Sequence, residues 1–232
     1  MKTGILIQAR MSSSRLPKKM MMNIEQFKLI EFVYKRCSLS KMSDICAVIT
    51  SEDKSDDELY HFCIEKKIPV YRGDLNNVLY RYISAADYLG IDTVVRVCGD
   101  SPFVDVESID TMIRMHIDEN LEYMCFDKKT IIPGLDSEII KKETLRSLLK
   151  CQLSRDDKEH VTLFIKNNLY KYKYKIIKSV FTPKEVEKIR FTVDYKKDLE
   201  LCRVFYKKHF KCINFNMHDV IKAIREEFPC AE

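Results

Sequence analysis

Ile5-Leu-Ile-Gln-Ala-Arg10-Met-Ser-Ser-Ser-Arg15-Leu-Pro-Lys-Lys19 joins a short apolar run to a loop dense in hydroxyls and fixed positive charge. An apolar run of this length bounded by turn chemistry reads as a buried strand. Such a strand gives the loop a rigid base. The turn after it exposes backbone N–H groups, and Arg10, Arg15, Lys18 and Lys19 add charge-assisted hydrogen bonds, a combination suited to a polyphosphate. A solvated basic loop has the same composition, so the rest of the chain has to decide between the two.

Working outward, short apolar runs alternate with helical patterns, which predicts βαβ units and an α/β fold with a mostly parallel sheet. Strands are expected at Gly4 to Ala9, Ile45 to Thr50, Pro69 to Tyr71 and Thr93 to Cys98, with helices between them. Ser55-Asp-Asp-Glu58 reads as a capping box opening one helix. Another runs from Asn76 to Leu89 and is stopped by Gly90. From Tyr123 to Val180 the periodicity changes. Gly134 to Ile140 reads as a strand, Lys142 to Lys150 as a helix, Arg155 to Asn167 as one helix capped by Ser154, and Tyr170 to Ser179 as a strand of alternating Lys and Tyr. A strand at Ile189 to Val193 and amphipathic helices at Lys196 to His209 and Met217 to Phe228 follow. Without repeats or linkers, 1–232 reads as one domain, with 123–180 as a small inserted subdomain.

A chain of 232 residues with 46% hydrophobic content can bury a core. Its 40 Lys and Arg against 35 Asp and Glu leave a net charge of +5, small for a nucleic-acid binder and suited to small anionic substrates. No apolar run approaches a membrane span and no signal-peptide pattern opens the chain, so a cytoplasmic protein is expected. Nine cysteines without a Cys-x-x-Cys pair argue against a disulfide framework and a zinc site, leaving most as small buried hydrophobes.

The carboxylates suggest the chemistry. Asp100 and Asp194 each follow an apolar run, placing them at carboxyl ends of strands, where open α/β sheets bind ligands. Magnesium takes one or two carboxylates plus phosphate oxygens, so the pair is a candidate site; a helix N-cap is the alternative for each. Asp105 reads as a cap for the helix near Glu107, and Asp198 as a helix-surface residue. Asp136 and Glu138, two apart on a strand, face the same side. Arg96 lies inside an apolar run and needs a partner, either a ligand anion or a buried structural carboxylate.

The first loop resembles the signature loop of the spore-coat polysaccharide type cytidylyltransferases, relatives of the CMP-Kdo and acylneuraminate synthetases. Tyr71-Arg-Gly-Asp74, Val78-Leu-Tyr-Arg-Tyr82, Val94-Val-Arg-Val-Cys-Gly-Asp-Ser-Pro102, Gly134-Leu-Asp-Ser-Glu138, Arg155 with Glu159-His160, and Arg190-Phe-Thr-Val-Asp194 follow in family order. The resemblance implies a Rossmann-like three-layer αβα nucleotidyltransferase that joins an acceptor to CMP from CTP and releases pyrophosphate. Arg10, Arg15, Lys19 and Asp100 then carry catalysis. Arg10, Arg15 and Lys19 hold the β- and γ-phosphates, Ser12 and Ser13 complete the cradle, and Gln8 and Ala9 lie near the base. Arg72, Gly73, Arg96 and Gly99 are further nucleotide contacts. Asp100 and Asp194 match the family's metal pair and would hold Mg²⁺.

Asp136, Glu138, Arg155, Glu159 and His160 fall where relatives approach the acceptor, in the region that also carries their dimer interface, so a homodimer is expected. The implied partners are CTP and an acidic 2-keto-3-deoxy sugar of nonulosonic or Kdo type, with neither nucleic acid nor membrane. A sugar phosphate or polyol phosphate acceptor, or nucleotide binding without turnover, are the alternatives. Three positions depart from the family: Lys18 replaces a glycine, the turn expected from Asn23 to Leu29 is missing, and Tyr80 replaces the aspartate beside Arg81.

Overall fold

In the computed structural model, which describes residues 1–229, the chain begins with β1 (Thr3–Gln8), the two-stranded ribbon β2 (Asn23–Ile24) and β3 (Phe27–Lys28), and α1 (Leu29–Cys37). Then come β4 (Ile45–Ser51), α2 (Asp57–Glu65), β5 (Val70–Gly73), α3 (Val78–Tyr88), β6 (Thr93–Cys98) and α4 (Val106–Asp118). Next are β7 (Tyr123–Phe126), β8 (Glu138–Lys141), α5 (Lys142–Ser147), α6 (Arg155–His160) and α7 (Leu163–Asn167). The remaining elements are β9 (Tyr174–Ile177), α8 (Pro183–Lys188), α9 (Lys196–His209) and α10 (Met217–Glu227).

All strands except the ribbon form one sheet in the order β5-β4-β1-β6-β8-β7-β9. β1 lies between β4 and β6, parallel to both, and β5 is parallel to β4. β8 runs antiparallel to β6 and β7, while β9 is parallel to β7. Successive side chains of a strand point to opposite faces, and the central strands are apolar on both. Ile5, Ile7, Val48, Val95 and Val97 enter one core with residues of α1, α2, α4, α9 and α10. Leu6, Ala47, Ile49 and Val94 enter a second with residues of α3, α5 and α7. This is the expected three-layer αβα arrangement. Residues 123–180 supply β7, β8 and β9 to the same sheet, and Tyr123, Ile140, Leu145 and Ile165 share the second core with Leu6 and Ile49.

Four local expectations are corrected. The capping box at Ser55 and Glu58 does not form. Asp53 accepts the Ser55 N–H instead, opening a 3₁₀ turn ahead of α2, and Glu58 pairs with Lys18 at 2.8 Å. The single helix over Arg155 to Asn167 is split into α6 and α7 by Val161, which takes φ 54° and ψ −57°. The Ser154 cap itself is present, as a capping box with Asp157. Ile189 to Val193 is extended but joins no sheet: Phe191 N–H donates to Pro133 O and Val193 N–H to Asp100 O. Asp198 is buried, and its Oδ2 accepts the N–H groups of Asp194 and Tyr195.

The strands expected over Gly134 to Ile140 and Tyr170 to Ser179 shorten to β8 and β9, with a 3₁₀ turn at Leu169–Lys171 ahead of β9. The helix expected over Lys142 to Lys150 is α5 followed by a 3₁₀ turn at Leu148–Lys150. The readings at Gly90 and Asp105 appear as expected. Asn77 caps α3, Gly90 follows it with φ 65°, and Asp105 caps α4 through the Ser108 N–H. The segment Asn23 to Leu29, which lacks the family's turn, folds as the β2–β3 ribbon leading into α1, with Glu25 at φ 49°. The eight cysteines among the described residues are free, and Cys37, Cys63, Cys125 and Cys202 are buried. Among the described residues, no helix is long and apolar enough to cross a membrane.

Candidate active site

The loop after β1 and the loop after β6 meet because their strands are neighbours in register, with Gln8 opposite Cys98. Gly99 N–H donates to Gln8 O at 2.8 Å, and a Cβ at Gly99 would come within 3.0 Å of that same oxygen. Glycine suits this approach, because a side chain there would press on a backbone oxygen that has to give way by a few tenths of an ångström. The extended segment 189–193 arrives from the other side. Gly134, at φ 99°, lets it pass, since a Cβ there would stand 2.6 Å from the Phe191 carbonyl carbon. The Val193 N–H bond to Asp100 O then sets Asp194 beside Asp100.

These elements enclose a cleft of about 240 Å³ lined by Gln8, Ala9, Arg10, Ser13, Arg15, Lys19, Asp100 and Asp194, together with Ser14, Met20 and Cys98. At its floor Lys19 is buried, and its ammonium donates to Asp100 Oδ2 at 2.7 Å, to Val193 O at 2.7 Å and to Asp194 Oδ1 at 3.4 Å. Arg15 donates to Asp194 Oδ1 at 2.5 Å, and Arg190 to Asp194 Oδ2. The hydrogen bond and charge of Asp194 raise the Arg15 guanidinium further above its ordinary value. Neither Asp100 nor Asp194 caps a helix: their carboxylates accept from these cationic side chains. Asp100 Oδ1 is buried with no hydrogen-bond partner, an acceptor atom with capacity left for a cation or donor.

Arg10 extends from the same loop to Glu159 of α6, 3.0 Å away, so α6 is anchored at the rim. The loop itself is fixed by Asp56, whose buried carboxylate accepts the Met11 N–H at 2.7 Å and the Ser51 N–H at 3.1 Å. Lys18 adopts φ 58° and ψ 21°, the left-handed conformation that suits a glycine. Cys98 presents a neutral thiol, because burial, opposed by Arg96, pushes its pKa up to about 11. That excludes it as a ready nucleophile.

Several residues expected at the site stand elsewhere. Arg96 is held by Glu138 at 3.0 Å across the β6–β8 ladder, with Gln8 Oε1 at 3.5 Å. Arg72 ties β5 to the loop after β4, donating to the carbonyls of Ser51 and Asp53 and pairing with Asp57 at 2.8 Å. Gly73 lies in the same β5 edge and Ser12 is exposed; neither lines the cleft. Asp136 and Glu138 do not share a strand face, since Asp136 sits in the turn before β8 and is exposed. Arg155 and His160 are exposed on α6 and do not line the cleft.

Glu138 is a buried hub rather than a free acceptor contact. Its oxygens receive Arg96, Lys166, the Tyr123 hydroxyl at 2.9 Å and the Thr162 hydroxyl at 2.9 Å. Burial alone would raise its carboxyl, but Arg96, Lys166 and these hydrogen bonds outweigh that and hold it at about 2.

Sequence reasoning missed Ser14, Met20, Cys98 and Arg190. Ser14 and Met20 belong to the first loop itself. Arg190 had a visible signal, the i, i+4 spacing to Asp194 within Arg190-Phe-Thr-Val-Asp194.

A family model described as cytidylyltransferase matches residues 4–219. The chain is 30% identical over 210 residues to the spore coat polysaccharide biosynthesis protein SpsF of Bacillus subtilis, covering 88% of this chain and 85% of that one. It is 34% identical over 118 residues to an 8-amino-3,8-dideoxy-manno-octulosonate cytidylyltransferase of Shewanella frigidimarina, covering 50% of this chain and 47% of the other. A solved cytidylyltransferase from Leptospira borgpetersenii serovar Hardjo-bovis superposes with a TM-score of 0.90 at 28% identity, covering 98% of this chain and 95% of that one. With a family match over nearly the whole length and a basic loop facing Asp100, just after a parallel strand, and Asp194, just after the extended segment 189–193, the chain belongs to the cytidylyltransferase family and is a nucleotidyltransferase.

Proposed function

We propose that this protein transfers CMP from CTP to an acidic 2-keto-3-deoxy sugar, of octulosonic or nonulosonic type, with release of pyrophosphate. The observation that carries the proposal is the cleft in which Arg10, Arg15 and Lys19 face Asp100 and Asp194. The choice of acceptor is supported by the Shewanella relative, whose name specifies an 8-amino-3,8-dideoxy-manno-octulosonate. SpsF, named for polysaccharide biosynthesis, agrees with a sugar-activating role.

In this reading an acceptor hydroxyl attacks the α-phosphorus in line. The new oxygen–phosphorus bond forms as the bond to the bridging oxygen breaks, the electron pair leaves with pyrophosphate, and the hydroxyl proton is released to solvent. Transfer of this kind needs positioning and charge stabilisation more than covalent help. Arg10, Arg15 and Lys19 would bind the β- and γ-phosphates, where negative charge grows on the leaving group. Gln8 and Ala9, at the end of β1, would border the base. Asp100 and Asp194 would hold Mg²⁺: both are hard oxygen donors, and the unpartnered, buried Asp100 Oδ1 fits a cation ligand. When bound, the ion supplies further neutralisation of phosphate charge.

The test is pyrophosphate release from CTP and Mg²⁺ with separate panels of 2-keto-3-deoxy sugar acids, sugar phosphates and polyol phosphates. Release with the sugar acids alone is expected. Release only with a phosphorylated acceptor overturns the acceptor class. CTP should also raise the thermal midpoint more than UTP, ATP or GTP, and equal shifts would overturn the base assignment.

A further inference from the structure

The ammonium of Lys19 has three protons, and three acceptors take them: Asp100 Oδ2, Val193 O and Asp194 Oδ1. Its side chain is only 8% exposed. Lys19 therefore has no donor free for a phosphate while these contacts hold. The two carboxylates it grips are also the ones assigned to the divalent ion. Arg15 and Arg190 do not relieve this, because both hold Asp194 and neither reaches Asp100. One fixed positive charge thus sits where a second would have to bind, in a site where burial weakens screening.

We propose that Lys19 competes with the divalent ion for Asp100 and, beside Arg15 and Arg190, for Asp194, so that nucleotide and metal binding are coupled through the Lys19 side chain. The β- or γ-phosphate draws the ammonium off the carboxylates, and the cleared carboxylates accept the ion. Linkage makes the coupling reciprocal: the factor by which nucleotide strengthens metal binding equals the factor by which metal strengthens nucleotide binding. The proposal rests on Asp100 and Asp194 being the metal pair. It goes beyond that assignment by giving Lys19 a restraining role before the nucleotide arrives.

The experiment is Mn²⁺ binding to the full chain without nucleotide, read by the EPR signal of free Mn²⁺. Lys19→Met removes the charge and keeps much of the packing volume; Lys19→Ala is measured alongside it, and circular dichroism confirms that each is folded. Both variants should bind Mn²⁺ about tenfold or more tightly than wild type, since a fixed competing charge has been removed. Adding Asp100→Asn to Lys19→Met should abolish the gain. If the folded Lys19 variants bind Mn²⁺ no tighter than wild type, the competition is overturned, and Lys19 instead organises the carboxylates. If the gain appears but survives Asp100→Asn, the ion is not on Asp100, and the metal assignment falls with it.

Discussion

Arg96 and Glu138 stand directly opposite each other in the ladder between β6 and β8, and their side chains close a buried ion pair at 3.0 Å. Lys166 shares the same carboxylate. Removing it should leave two buried or half-buried cations without their counter-charge. Glu138→Ala is therefore expected to destabilise the fold by about 3–5 kcal/mol, measured by urea unfolding. The pH dependence has a definite sign. The carboxyl is lowered from 4.5 to about 2 on folding, so its contribution is complete above about 4.5 and is lost as pH falls toward 2. Glu138→Gln should flatten the acid limb of the wild-type stability curve across that window.

His116 of α4 is fully buried, and neither ring nitrogen has a hydrogen-bond partner. Burial, reinforced by Lys141, lowers its pKa from 6.5 to about 4. Between those values the unfolded chain binds the proton and the native state does not. Stability should be complete above pH 6.5 and decline as pH falls toward 4, by on the order of 3 kcal/mol in all. His116→Leu should remove this component, so thermal midpoints of variant and wild type should converge or cross as pH is lowered from 7 to 5. Parallel midpoint curves would show that His116 titrates normally.

The parallel half of the sheet was legible because β1, β4 and β6 are apolar on both faces and read as continuous runs. Residues 189–193 carry the same pattern without being a strand. Periodicity reports burial of Ile189, Phe191 and Val193, and not whether the backbone partner is a ladder or the loop carbonyls of Pro133 and Asp100. The break in α6–α7 was hidden for a related reason. Val161 leaves helical geometry while its side chain is buried and its neighbour Thr162 bonds to Glu138, a tertiary demand that helical spacing cannot register. Within the site, the first loop and Asp100 were legible from charge type and position after an apolar strand; Asp194 was picked out by a similar apolar run, although residues 189–193 join no sheet. Arg96 was ambiguous because a buried arginine needs an anion, and sequence does not reveal that Glu138 lies opposite.

Lys18 holds a left-handed backbone that suits glycine, and its ammonium meets Glu58 at 2.8 Å on the surface. Lys18→Gly relieves backbone strain of about 1 kcal/mol but gives the unfolded chain more freedom and removes an exposed pair of small value. These effects nearly cancel, so stability should change by less than about 1 kcal/mol and turnover should be retained or improved. Lys18→Val, β-branched at φ 58°, should lose about 1–2 kcal/mol and slow turnover by displacing Lys19. A severe loss of activity in Lys18→Gly, with Lys19→Ala tolerated, would show that Lys18 is the phosphate-binding lysine.

Asp100→Asn and Asp194→Asn conserve volume and remove one negative charge each from the floor of the cleft. Their structural consequences differ. Asp194 holds half-exposed Arg15 and Arg190, pairs whose loss should alter stability by no more than about 1 kcal/mol each. Asp100 holds buried Lys19 with one oxygen and leaves the other unpartnered, so its neutralisation exposes Lys19 to a more costly imbalance. If both carboxylates serve the ion, each variant should lower turnover by about a hundredfold or more and shift the Mg²⁺ needed for residual activity upward. Initial rates across a Mg²⁺ titration, with thermal midpoints measured in parallel, separate lost ligation from lost folding. Near-native turnover at low Mg²⁺ in a folded Asp194→Asn variant would leave that residue with the task of positioning Arg15 and Arg190, and Asp100 as the metal ligand without it.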